Sequence, residues 1–223
     1  MTIFARNCAI CGEEITSNTP YAYTPGPMFP ESHHLWKYCG TGFHQKCLID
    51  WPFRQEFSAA YCSEKFGAIT LFRHEKWLLL CGPITYGPEG NIGRPYYAEI
   101  RLMNWPIRLY SRFEEWDSFV HEEKWEAHLI DPIKVEIMSL AGEFPSSVDA
   151  LDDLLLANVA RMMKDTSSHK TRYVAVLALR LFGEKSKSFI SDIQQATQDE
   201  HGSVRTAAYT LLKHWRNSTD ITN

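Results

Sequence analysis

Tyr38-Cys39-Gly40-Thr41-Gly42-Phe43-His44-Gln45-Lys46-Cys47-Leu48-Ile49-Asp50-Trp51-Pro52 decides how the first part of this chain is read, together with Cys8-Ala9-Ile10-Cys11-Gly12 upstream. In Cys8-x-x-Cys11 a tight turn lets two thiolates converge on one ion. In His44-x-x-Cys47 the i, i+3 spacing on the first turn of a helix aims both side chains the same way. Three sulfurs and one imidazole make a tetrahedral, closed shell, so the expected cofactor is one structural Zn²⁺ per chain. Phe43, Cys47, Leu48 and Trp51 recur at helical spacing before Pro52, which predicts a short helix starting near His44.

Around that stretch the composition is that of a folded chain. With 223 residues, 44% hydrophobic and 22% charged, the length suits one large domain or two small ones. Met1 to Asn7 contains no apolar leader core, and the longest apolar run, Trp77 to Cys81, is too short to span a bilayer. A cytoplasmic protein without a membrane segment is therefore expected. In a reducing compartment the six cysteines point to metal binding before disulfides. A net charge of -4 supplies no overall basic field, so nucleic acid is not the expected partner.

Between Cys11 and Cys39, Pro20, Pro25, Pro27 and Pro30 predict a long irregular loop, and the whole segment up to Phe66 reads as irregular apart from the short helix. His33 and His34 lie late in that loop. They read first as a packed or solvated doublet and, with Cys39, as the candidates for an additional metal ligand.

The two cysteine-bearing stretches resemble a RING finger of the histidine-containing kind. That family reads Cys-x-Ile-Cys, a loop, then Cys-Gly-His-x-Phe-His-x-x-Cys-x-x-x-Trp; Cys8-Ala9-Ile10-Cys11 and the run from Cys39 to Trp51 follow the same order. The resemblance implies a first zinc on Cys8, Cys11, His44 and Cys47. A second would need Cys39, a histidine where this chain has Thr41, and a later Cys-x-x-Cys, whereas only Cys62 and Cys81 follow. The expectation is a treble-clef-like knuckle that keeps the first site alone. By the same resemblance Ile10, Trp51 and Pro52 match positions that contact a ubiquitin-conjugating enzyme, although packing of the knuckle is the preferred reading of Ile10 and Trp51.

From Gly67 to Ser111 the pattern is that of strands. Ala68 to Phe72 and Lys76 to Ile84 flank a turn at Arg73-His74-Glu75, while Gly87-Pro88-Glu89-Gly90 marks a second break in the chain. Tyr96 to Met103 alternates, with Ala98, Ile100 and Leu102 on one face and Glu99 and Arg101 on the other, which predicts an antiparallel sheet with one covered face. Ile107 and Leu109 continue it, and Cys81 reads as a buried free thiol. Phe113, Trp116, Phe119 and Val120 then share one side of a helix whose other side carries Glu114, Glu115, Asp117, Glu122 and Glu123. Ile130-Asp131-Pro132 breaks that pattern, and Gly142 to Ser147 reads as a linker.

The remainder reads as four helices with an internal period of about 33 to 34 residues that aligns Asp165 and Arg172 with Asp199 and Arg205. Leu151, Leu154, Leu155, Val159 and Met162 mark the first helix. Val174, Leu177, Ala178 and Leu181 mark the second, stopped by Gly183. Phe189, Ile190 and Ile193 mark the third, and Val204, Ala208, Leu211 and Trp215 the fourth. This segment resembles HEAT-like repeats, which implies that its Asp and Arg residues bond neighbouring repeats.

The predicted class is thus α+β: a zinc-binding module over residues 1–66, an antiparallel sheet plus helix over 67–141, and an all-α repeat region over 148–223. No nucleophile-with-base signature, phosphate loop or His-Glu-x-x-His occurs; His121-Glu122-Glu123 and Glu126-x-His128 are ordinary helix-surface groups, and four soft ligands leave zinc no open position. The expected role is binding another protein as an adaptor or inhibitor. The alternatives are a RING-like ligase component that docks a conjugating enzyme, and an immunity protein whose acidic surfaces cover a toxin.

Overall fold

The computed structural model of the chain describes residues 7–24, 26–64, 68–86, 92–122 and 128–219. The expected boundary at Phe66 and Gly67, the turn Gly87-Pro88-Glu89-Gly90, and Glu123 and Glu126 lie outside the described residues. The fold mixes helices with antiparallel sheet, and no helix among the described residues is long and apolar enough to cross a membrane. The chain forms two compact units, one of Met1–Gly82 with Tyr96–Val148, the other of Pro83–Pro95 with Asp149–Asn223.

In the first unit β1 (Tyr21–Tyr23) pairs with β2 (Gly42–His44), and α1 (Gln45–Ile49) starts directly after His44, which serves as its N-cap residue. The segment before Phe66 is less irregular than its prolines suggest, because α2 (Arg54–Ser63) follows Pro52. Phe57, Ser58, Tyr61 and Cys62 form its buried stripe, which the polar Arg54-Gln55-Glu56 start and the serine conceal in the sequence. Phe43, Trp51 and Phe57 pack as a cluster of rings with centroids 5.3–5.6 Å apart.

The four-stranded sheet runs β3 (Ile69–Arg73), β4 (Trp77–Cys81), β7 (Tyr97–Leu102) and β8 (Arg108–Arg112), all neighbours antiparallel. Its strands are the predicted ones, but both faces are covered at the central strands β4 and β7, whereas Arg108, Tyr110 and Arg112 of β8 are exposed. All five β4 residues are buried, so β4 reads as a continuous apolar run and not an alternating one. Leu78 and Leu80 pack with Tyr61 and Cys62 of α2. On the opposite face Trp77 meets the Phe144 ring at 5.0 Å.

Glu99 and Arg101 pair across the ladder with Leu80 and Leu78, so they point into the interior under α2 and not to solvent. A buried charge survives only with partners, and Arg101 has them. Its Nε donates to Glu99 Oε1 at 2.7 Å, its Nη1 to the carbonyls of Tyr61, at 2.9 Å, and Glu64, and its guanidinium lies over the Tyr61 ring. Glu99 is also approached by Arg108 at 3.7 Å.

The predicted amphipathic helix is α3 (Trp116–His121), preceded by a 3-10 turn from Phe113; Phe113, Trp116 and Phe119 are buried and the described acidic residues exposed. Asp131 and Pro132 do more than interrupt it: they open α4 (Asp131–Leu140), where a first-turn proline loses no hydrogen bond, and Ile133, Ile137 and Leu140 are buried. The Gly142–Ser147 stretch is not a free linker either. Trp77 Nε1 donates to Glu143 at 3.1 Å, Trp116 Nε1 to the Pro145 carbonyl at 2.7 Å, and Phe144 is buried.

The second unit contains α5 (Val148–Met162), α6 (His169–Ala178), α7 (Ile190–Ala196) and α8 (Gly202–Thr219), with a short antiparallel pair, β5 (Thr85–Tyr86) and β6 (Ile92–Gly93). Both α6 and α7 pack on α8, which buries Val204, Ala208, Leu211 and Trp215 as expected. In α6 the buried positions are Ala175, Val176 and Ala178, while Val174 and Leu177 are half-buried, a face rotated from the expected one by packing against α8. Gly183, at φ +49°, interrupts the 3-10 stretch from Leu179 to Phe189. Ile193 is buried, whereas Ile190 is exposed.

Arg172 joins two of these helix connections. Its Nε and Nη2 donate to Asp199 at 2.7 and 3.0 Å, and its Nη1 donates to the Asp165 carbonyl at 2.9 Å. Arg205 in turn bonds the carbonyls of Asp199 and Glu200. The hydrogen bonds from Arg172 hold the Asp199 carboxyl below the ordinary carboxylate range, against the upward push of burial. Asp152, buried in α5, is met by Arg94 at 2.8 Å.

Two outcomes are expected. Arg101→Ala leaves the buried Glu99 with Arg108, at 3.7 Å, in place of its close bonds to Arg101, and should cost about 3 kcal/mol or more in urea unfolding; a loss of only about 1 kcal/mol, the scale of a surface pair, would mean that the charges are solvated. Because the Asp199 value is depressed, its pairing stabilises the fold above the ordinary carboxylate pKa near 4 and is lost as the pH falls through the lowered value. Arg172→Met should therefore lower the denaturation midpoint at neutral pH and converge with the parent in acid, and a constant difference down to strong acid would contradict this.

Candidate metal centre

Cys8 and Cys11 sit on a turn closed by backbone hydrogen bonds from Gly12 N–H to the Cys8 carbonyl and from Cys8 N–H to the Glu13 carbonyl, each 2.8 Å. Gly12 adopts φ +78°, a conformation that favours glycine, and this lets the chain reverse right behind Cys11. Ala9 N–H donates to the Gly42 carbonyl at 2.9 Å, which fastens the turn beside β2. On the other side β2 delivers His44 and the first turn of α1 delivers Cys47.

The ligand atoms of Cys8, Cys11, His44 and Cys47 all lie within 4.8 Å of one another, so these residues are positioned to bind a metal ion. Cys11 Sγ is 3.5 Å from His44 Nδ1. Around a tetrahedral ion with bonds of about 2.3 Å to sulfur and 2.0–2.1 Å to nitrogen, that edge measures about 3.6 Å. His44 Nε2 lies 3.1 Å from the Glu14 carbonyl, which can only accept, so Nε2 carries the ring proton and Nδ1 presents its lone pair to the cysteines.

The thiols of Cys8 and Cys47 are pushed in opposite directions. Burial pushes the Cys8 thiol up, but N–H groups of Cys11, His44 and Ile10 outweigh it and leave Cys8 below the ordinary thiol value; the His44 N–H donates to Cys8 Sγ at 3.3 Å. Burial, then the neighbouring Cys11 and Cys8, push Cys47 up to about 12. Adjacent thiolates repel, and a divalent ion removes that conflict by stabilising every sulfur in its charged form. Soft thiolates with one imidazole are compatible with zinc.

The remaining predicted residues divide. Cys39 stands outside the cluster, its Sγ accepting the Met28 N–H at 3.4 Å. His33 and His34 also lie apart from the four ligands and face Glu56 of α2, a residue no short motif could have flagged. Cys62 and Cys81 are buried thiols, raised by burial to about 11 and about 12. Trp51 is buried in the aromatic cluster, Ile10 is half-buried and Pro52 is exposed.

Within the first unit an open cleft of about 830 Å³ lies between the Ser17–Tyr23 segment and β8, an edge strand of the sheet, with Gln45 and Leu129 also in its lining. Comparison with family models, with characterised proteins and with solved structures returns no match.

The cluster predicts its own mutational behaviour. Cys11→Ser and His44→Ala should each release tightly held metal and open the region before α2 to protease, since metal binding energy in such sites is largely folding energy, on the order of 10 kcal/mol. Native protease resistance in the metal-free variants would make the metal dispensable to the fold.

Proposed function

We propose that this is a protein-interaction protein whose N-terminal part is a RING-like knuckle held by one structural Zn²⁺ on Cys8, Cys11, His44 and Cys47. In this reading the helices of the second unit are HEAT-like hairpins. Four protein ligands saturate the ion and give it no position for a substrate, so the zinc shapes a surface and takes no part in chemistry.

The observation that carries the interaction reading is the cleft. Its wall is β8, whose exposed residues Arg108, Tyr110 and Arg112 alternate along a sheet edge, and Tyr21 stands half-exposed across from it. An edge strand offers unused backbone donors and acceptors, and tyrosine with arginine is the composition of interface hot spots. A partner that presents an extended segment fits such an edge by strand addition.

The RING-like reading offers a second surface, Ile10, Trp51 and Pro52, for a conjugating enzyme. Burial of Trp51 among Phe43 and Phe57 supports a packing role for that residue. The full-length protein should capture one stoichiometric partner; Tyr110→Glu should weaken that complex, and Ile10→Ala with Trp51→Ala should leave it intact at unchanged zinc content. If instead a conjugating enzyme discharged its thioester faster with this protein, and the Ile10 and Trp51 substitutions removed the effect, a ligase role would replace the proposal.

A further inference from the structure

The loop before β2 and the first turns of α2 bring together three groups that belong to no part of the cysteine cluster. Hydrogen bonds from His33 N–H to the Pro30 carbonyl and from Trp36 N–H to the His33 carbonyl, each 2.9 Å, fold a tight turn that places consecutive histidines on one side. Their rings stack, with centroids 4.5 Å apart, and Phe29 stacks on the outer face of His33 at 4.4 Å. Phe53 meets His34 edge-on at 5.1 Å. Aromatic contacts thus hold both imidazoles with their Nε2 atoms toward one carboxylate.

That carboxylate is Glu56. His33 Nε2 lies 3.5 Å from Oε1 and His34 Nε2 lies 3.5 Å from Oε2. This spacing is long for hydrogen bonds, whose donor–acceptor distances run to about 3.2 Å. Each imidazole nitrogen thus faces a different oxygen of the same carboxylate without a close hydrogen bond to it, an arrangement open to a shared ion. The three ligand atoms all fall within 4.8 Å of one another.

We propose that His33, His34 and Glu56 form a second metal site, distinct from the cysteine cluster, for an exchangeable divalent transition-metal ion of the Zn²⁺ or Ni²⁺ kind. Two imidazoles and one carboxylate select that class over Ca²⁺ and Mg²⁺, which take all-oxygen shells. Three protein ligands leave the remaining positions to water. The His33 ring makes the site weaker: its Nδ1 accepts the Leu35 N–H at 3.2 Å, which places the proton on Nε2. An incoming ion displaces that proton, the ring then carries its proton on Nδ1, and the Leu35 contact is given up. The ion also joins residues 33–34 to α2, so occupancy should stiffen the segment that leads into β2.

The test uses the full-length protein, washed with chelator until only its tightly held zinc remains, and titrated calorimetrically with Ni²⁺ or Zn²⁺ alone. One further equivalent should bind and raise the melting temperature. His34→Asn and, separately, Glu56→Gln should weaken it by at least about tenfold and abolish the thermal shift, while the tightly held zinc stays at the parent level. Two results would overturn the proposal: no further equivalent bound across the micromolar to millimolar range, or a further equivalent bound equally by both variants, which would assign it to other surface histidines.

Discussion

The first unit depends on one convergence: the imidazole of His44 and three sulfurs meet from two stretches of chain that share no helix or extended sheet. Between the Cys8 turn and β2 run the hydrogen bond from Ala9 N–H to the Gly42 carbonyl, that from His44 N–H to Cys8 Sγ, and the approach of Cys11 Sγ to His44 Nδ1. Those bonds orient the sulfurs without supplying a core. The four side chains are positioned to hold a metal ion, which would cross-link the two stretches.

The helix α2 connects this region to the sheet. Arg101 is the joint, since it lies in β7 yet spends its donors on carbonyls at the end of α2 and on its own neighbour Glu99. Breaking a buried ion pair of this kind costs more than forming it gains, because the remaining charge is left in the interior.

The candidate metal-binding cluster was legible in the sequence because both halves of the set are short-range patterns: Cys-x-x-Cys needs a turn and His-x-x-Cys needs one helical turn, and each is written in four residues. The strands were legible for a similar reason. Glu99 and Arg101 misled because alternation identifies two faces and not what covers them; a charged face reads as wet until a helix is known to lie there. The Phe144 segment misled through its glycine, proline and serines, whereas its fixed conformation comes from the indole N–H groups of Trp77 and Trp116, far away in sequence. Glu56 had no local signal at all, because its place opposite His33 and His34 is set by where α2 begins.

The path of the chain between β4 and β7 has a consequence for synthesis and for dissection. The chain leaves the first unit after Gly82, contributes the β5–β6 pair to the second, and returns at Tyr96. As the polypeptide emerges from the ribosome, Arg94 is therefore made well before Asp152, its buried counterpart in α5. The close ion-pair partner of that carboxylate thus lies in a piece of chain translated earlier, while Lys185 acts on it at longer range from the helical segment itself. Expression of the four helices by themselves would omit that piece and leave Asp152 buried without Arg94, so the protein is better divided by its contacts than by its loops.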